Sequence, residues 1–216
     1  MYHFKLNNLL NKILLLIVSV ITLDFLIVPK EIRRELLIKL IGPEYAVNQL
    51  NEFSNNPKII LIHVILGMSF ICLFLLQSSS KVSISMPKAH KTVGYIFLIV
   101  ANLLTLTGTL TAIFYPFSGQ ASVLPNIFFE ILIIIFTIYA IQFARQKKFI
   151  NHQIYVSRII AICLGIGFSR ILIFILVIIF TIPPKEAFAQ AFWFGSSLAF
   201  FLNEFFYAQK LYIQQK

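Results

Sequence analysis

Residues 58–77 read KIILIHVILGMSFICLFLLQ. Between Lys58 and Gln77 the stretch holds one basic side chain, His63, no acidic one and no proline. A helix needs roughly 20 mostly apolar residues to cross the hydrocarbon of a bilayer, and this segment supplies them. Working outward, further apolar runs occupy residues 12–29, 92–115, 123–144, 153–182 and 188–208. Proline ends helices at such places: Pro29 and Pro57 bracket the first connector, Pro116 and Pro125 a short turn, and Pro183-Pro184 the last hairpin. The expectation is an all-α polytopic bundle of about six transmembrane helices, forming one membrane domain over residues 1–216 with a single long connector at 30–57.

Composition agrees with this reading. Hydrophobic residues make up 59% of the chain and charged residues 12%, with a mean hydropathy of +0.88. An ordinary globular domain is about a quarter charged. The net charge of +10 would suggest a nucleic-acid partner in a soluble protein. Here the Lys and Arg residues fall mainly between apolar segments, the pattern that orients helices in a membrane, and no basic stretch carries interleaved aromatics. The expected partner is the lipid bilayer, not nucleic acid; protein partners leave no mark in the sequence. Cys72 and Cys163 sit mid-segment among aliphatics, as small hydrophobic residues do. The amino terminus has a basic start and an apolar core but no small-x-small cleavage site, so it reads as a retained first span.

Basic residues set the orientation. With the amino terminus inside, Lys5, Lys12, Lys81, Lys88, Lys91, Arg145, Lys147, Lys148, Arg158, Lys210 and Lys216 lie on the inner side. They outnumber Lys30, Arg33, Arg34, Lys39, Lys58 and Lys185 on the outer side, which puts both termini in the cytoplasm. Within the connector, Ile32, Leu36 and Leu40 form one stripe of EIRRELLIKLI, the mark of a short amphipathic helix at the interface. Small residues recur at helical spacing in two spans: Gly94, Ala101, Thr105, Gly108 and Ala112 in the third, and Ala161, Gly165 and Ser169 in the fifth. Such stripes let membrane helices approach closely.

Polar groups inside the apolar segments are the candidates for function, because a membrane interior tolerates few of them without reason. By depth, Asp24, His63, Glu130 and Arg170 form an outer-half cluster, with Glu130 the expected partner of Arg170. Gln77, His90, His152, Arg158, Asn203 and Glu204 form an inner-half set, with Glu204 within reach of Arg158. The outer cluster reads either as a proton or anion path or as an ion pair that fixes helix register. No catalytic residue is assigned: the chain has no HExxH, no GxSxG elbow and no phosphate-cradling loop. His90 and His152 open two helices on one side, where two imidazoles are able to clamp a b-type haem. Haem b is therefore the one cofactor the pattern suggests, with those two residues as ligands.

In combination, His63-x3-Gly67 with Gln77, His90-Lys91-x2-Gly94-Tyr95, His152-x5-Arg158, Arg170 and the late Asn203-Glu204 resemble an uncharacterised bacterial membrane family, domain of unknown function 2306. The resemblance covers roughly residues 58–208. It departs at Lys91 and Gln153, where the family carries Arg after the histidine, and at Tyr155-Val156, where it shows Trp-Met. The resemblance implies an all-helical bundle in the bacterial cytoplasmic membrane and no established activity. The expected function is a non-enzymatic role in transport, sensing or assembly; the alternative is a b-type haem-binding redox protein.

Overall fold

The computed structural model describes residues 15–20, 22–23, 27–43, 46–47 and 57–205. These residues are almost all helical, and no strand occurs among them. We number the helices α1 (Lys30–Leu40), α2 (Pro57–Ser78), α3 (Ser80–Ser85), α4 (Pro87–Phe114), α5 (Gln120–Arg145), α6 (Phe149–Phe174) and α7 (Pro184–Asn203). A π-helical turn, Ile175–Ile179, extends α6.

Among the described residues, four helices are long and apolar enough to span a bilayer: Lys58–Ser78, Pro87–Phe114, Gln120–Arg145 and Phe149–Ile179. Only 22–33% of their most apolar windows is buried within the bundle, so most of that greasy surface faces outward and needs lipid to cover it. The fifth long helix, α7, falls outside this set, because Gln190, Ser196, Ser197 and Asn203 dilute its apolar residues. The predicted span 12–29 lies partly outside the described residues. Of the part that is described, Leu15 and Val18 pack into the main core.

Helix ends differ from the apolar limits in a consistent way. α4 and α6 begin at Pro87 and Phe149, ahead of the predicted 92 and 153. A helix of 28 residues is about 42 Å long at 1.5 Å per residue, so its polar first turn projects beyond the hydrocarbon. His90 and His152 thus sit inside their helices, about one turn from the start. Pro125 does not end a turn, as the sequence suggested, but lies inside α5. The helix starts earlier, at Gln120 after Gly119 (φ 62°), and near a helix start proline forfeits few hydrogen bonds.

The long helices run up and down. α6 and α7 share the most extensive interface, followed by α2 with α4, α5 with α6, and α4 with α5. Small residues govern the first of these. A Cβ added to Gly165 would lie 2.7 Å from Ser196 Cα, and one added to Gly195 would lie 2.8 Å from Ser169 Cα. The backbones therefore meet almost directly, which is how membrane helices gain packing energy without a hydrophobic drive.

Candidate functional site

At the end of the bundle where Lys88, Lys91, Arg145, Lys147 and Lys148 are exposed, here the basic end, Gln77 closes α2. Its Nε2 donates to the His90 carbonyl at 2.8 Å. Its amide also lies over Gly94, where a Cβ would stand 3.5 Å from Nε2. His90 and His152 are within electrostatic reach of each other. His152 Nδ1 donates to the Ala140 carbonyl at 2.9 Å; a carbonyl only accepts, so Nδ1 carries the hydrogen. His90 Nδ1 is buried and has no hydrogen-bond partner among the described residues.

Arg158 and Glu204 form a separate group between α6 and α7. The guanidinium grips the carboxylate with two hydrogen bonds, Nε to Oε1 at 2.8 Å and Nη2 to Oε2 at 2.7 Å. Its flat face lies 4.7 Å from the Tyr155 ring centroid and 5.5 Å from that of Phe136. Asn203 Nδ2 adds bonds to Ser157 Oγ at 3.2 Å and to Glu204 Oε1 at 3.4 Å. The inner-half set of the sequence thus divides into a histidine pair with Gln77 and an ion-pair latch on the last helix.

The other half of the bundle carries a polar seam along α4. His63 Nδ1 meets Thr107 Oγ1 at 2.9 Å. Thr107 spends its hydrogen on the Leu104 carbonyl at 2.8 Å, so His63 Nδ1 is the donor in this contact and Nε2 is left bare in the neutral ring. Gly108 makes room for the imidazole: a Cβ there would be 3.4 Å from His63 Cε1 and 3.9 Å from Asn126 Oδ1. Next along α4, the Thr105 hydroxyl stands beside the Glu130 carboxyl. Further on, Asn102 Nδ2 donates to Thr137 Oγ1 at 2.9 Å. Asn102, Thr105 and Thr109 recur at i, i+3 and i+7, one face of a helix.

Glu130 is 9% exposed, and its Oε2 has no hydrogen-bond partner among the described residues. Cys163 of α6 is close enough to feel its charge. Glu130 does not pair with Arg170. That guanidinium lies 5.8 Å from the Phe188 ring centroid and within electrostatic reach of His63. Asp24, the remaining residue expected in this cluster, lies outside the described residues.

An aromatic layer separates the two halves. Phe70, Phe74 and Phe97 are fully buried, with Phe70 and Phe97 centroids 5.2 Å apart and Phe70 and Phe74 centroids 6.4 Å apart. His63, Phe70 and Gln77 follow one another at seven-residue intervals, close to one face of α2. About 21 Å of helix therefore carries a polar group at each end and phenyl rings between.

The family model described as "Predicted membrane protein (DUF2306)" matches residues 60–208. The chain belongs to this family. No curated protein and no solved structure matches it. The DUF2306 match runs from the start of α2 past the end of α7, so it contains both polar halves and the aromatic layer, whereas α1 precedes it. Sequence reasoning missed several partners within this region: Thr107 for His63, Thr105 for Glu130, the Asn102–Thr137 bridge, and Ser157 for Asn203. The i, i+3, i+7 run on α4 was the available signal for two of these positions, Asn102 and Thr105. Among the described residues no group of three or more His, Cys, Asp or Glu side chains is placed to hold a metal ion.

Proposed function

We propose that the protein is a six-span protein of the bacterial cytoplasmic membrane, with both termini in the cytoplasm, that moves a proton or a proton-coupled solute without making or breaking covalent bonds. The observation that carries this reading is the Glu130 carboxyl, buried between apolar helices with one oxygen unpartnered. At membrane depth a carboxylate must pair or hold a proton, because an isolated charge there is costly. Hydrogen-bond bookkeeping favours the proton. The Thr105 hydroxyl points at the Ala101 and Asn102 carbonyls, 3.1 Å away in each case, and it has one hydrogen to give. With that hydrogen committed to the backbone, the hydroxyl offers the neighbouring Glu130 an acceptor, which a protonated carboxyl can use and a carboxylate cannot.

On this reading His63, with a bare Nε2, is the neighbouring proton acceptor, and Asp24 and Arg170 complete the cluster at that depth. The phenyl layer keeps it apart from the histidines of the basic end, as a carrier that must not leak requires. The test is proton flux into proteoliposomes loaded with a pH-sensitive dye. Wild-type protein should dissipate an imposed pH gradient faster than Glu130→Gln protein; equal rates, with both proteins reconstituted to the same density, would count against the reading.

A second reading, haem b between His90 and His152, draws on the His152 geometry. Donation of Nδ1–H to a backbone carbonyl is the arrangement that presents Nε2 to a metal. Protein purified in detergent after growth with haem should then give a reduced-minus-oxidised b-type difference spectrum that is lost in His152→Ala. Haem-free protein under the same conditions would dismiss it.

A further inference from the structure

The surface of α1 divides into three arcs. The first is held by the bundle. Leu37, with Ile41 just beyond the helix, packs with Ile173 and Ala191 and their neighbours Phe117, Phe174 and Phe188. Arg33 is buried beside this arc and donates from Nη2 to the Val28 carbonyl at 2.8 Å. The second arc, Ile32, Leu36 and Leu40, is spaced one turn apart and is 52%, 46% and 46% exposed. The third carries Glu31, Arg34, Glu35 and Lys39, all exposed, with Ile38 among them. At 100° per residue the exposed apolar arc borders the packed one, and the charged arc lies opposite.

We propose that α1 lies in the membrane interface, with Ile32, Leu36 and Leu40 in the boundary between lipid headgroups and acyl chains. Two observations select lipid as the occupant. The apolar stripe adjoins surface that lipid already covers: Leu37 and Ile41 share one apolar cluster with Leu176 and Val177, and the next residues, Ile178 and Ile179, end a membrane span with their side chains exposed. The flanking charges suit that boundary, since Lys30, Arg34 and Lys39 outnumber Glu31 and Glu35 and a phosphate layer attracts the basic excess. A helix that lies in the interface buries its apolar face on the order of 5–10 Å deep, which matches a stripe one residue wide on a helix of 11 residues.

The test uses full-length protein with Cys72→Ala and Cys163→Ala, carrying either Leu36→Cys or Glu35→Cys. Each is labelled with an environment-sensitive fluorophore and reconstituted in phosphatidylcholine vesicles. The label at 36 should show a blue shift relative to that at 35, be quenched by headgroup-level nitroxide lipid and be shielded from aqueous iodide. The label at 35 should show the reverse quenching. Equal iodide quenching at both positions would overturn the proposal, as would a label at 36 shielded from both quenchers, which would mean protein covers the stripe.

Discussion

Gly195→Leu is expected to abolish the folded, monodisperse protein, and Gly165→Leu to do nearly the same. A Cβ on Gly195 would stand 2.5 Å from Ser169 N, besides the contact with Ser169 Cα, and one on Gly165 would meet Ser196 Cα. These obstacles are backbone atoms, which cannot rotate away, so α6 and α7 would have to part. Inserting even modest bulk into a packed core costs about 1–3 kcal/mol. Here the loss spreads along the largest interface of the bundle, where close packing is the main attraction. Gly67→Ala is the matched control, since its Cβ would find only Leu104 Cδ1 and Thr22 Cγ2, both at 3.9 Å. Size-exclusion profiles and detergent-induced unfolding should show Gly67→Ala close to wild type and Gly195→Leu aggregated or absent from the membrane fraction. Normal behaviour of Gly195→Leu would mean the two helices do not meet at these residues.

The second large effect belongs to the Arg158–Glu204 latch. The side chains are 13% and 29% exposed, between a surface pair worth about 0–1 kcal/mol and a buried pair whose disruption costs about 3–5 kcal/mol. Arg158→Leu strands Glu204 and removes the guanidinium from the Tyr155 and Phe136 rings, so a loss on the order of 2–3 kcal/mol is expected. Glu204→Gln should cost less, because an amide oxygen still accepts one of the two bonds. Arg158→Lys should not restore stability, since an ammonium has neither the planar fork nor the stacking face. The double variant Arg158→Leu with Glu204→Leu should recover part of the loss, and that coupling, read from unfolding midpoints, is the signature of a direct pair. Additive losses would contradict it.

How far the sequence was legible depended on the kind of contact. Apolar length placed α2, α4, α5 and α6, because lipid imposes one requirement on every span. It did not give the helix ends, where Lys88, His90 and Lys91 form a helical first turn that hydropathy cannot distinguish from a loop. It also misread Pro125, whose position near a helix start makes it harmless. Contacts between helices were less legible. Arg158 and Glu204 were identified as neighbours because both lie near the same end. Glu130 and Arg170 share a depth too, yet they do not meet: depth fixes height in the bundle, not the direction a helix face points. The neighbours of His63 and Glu130 are Thr107 and Thr105 of α4, residues too ordinary to stand out and, two positions apart, on different faces of their helix.

Glu130 is the residue on which the functional account rests, and its protonation is directly observable. Infrared difference spectra of reconstituted protein, recorded across a pH titration, report the carbonyl stretch of a protonated carboxyl group apart from that of a carboxylate. The account predicts a protonated-carboxyl band that is absent from Glu130→Gln and that disappears reversibly as pH rises. Spectra of wild type and Glu130→Gln that coincide throughout the titration would contradict it.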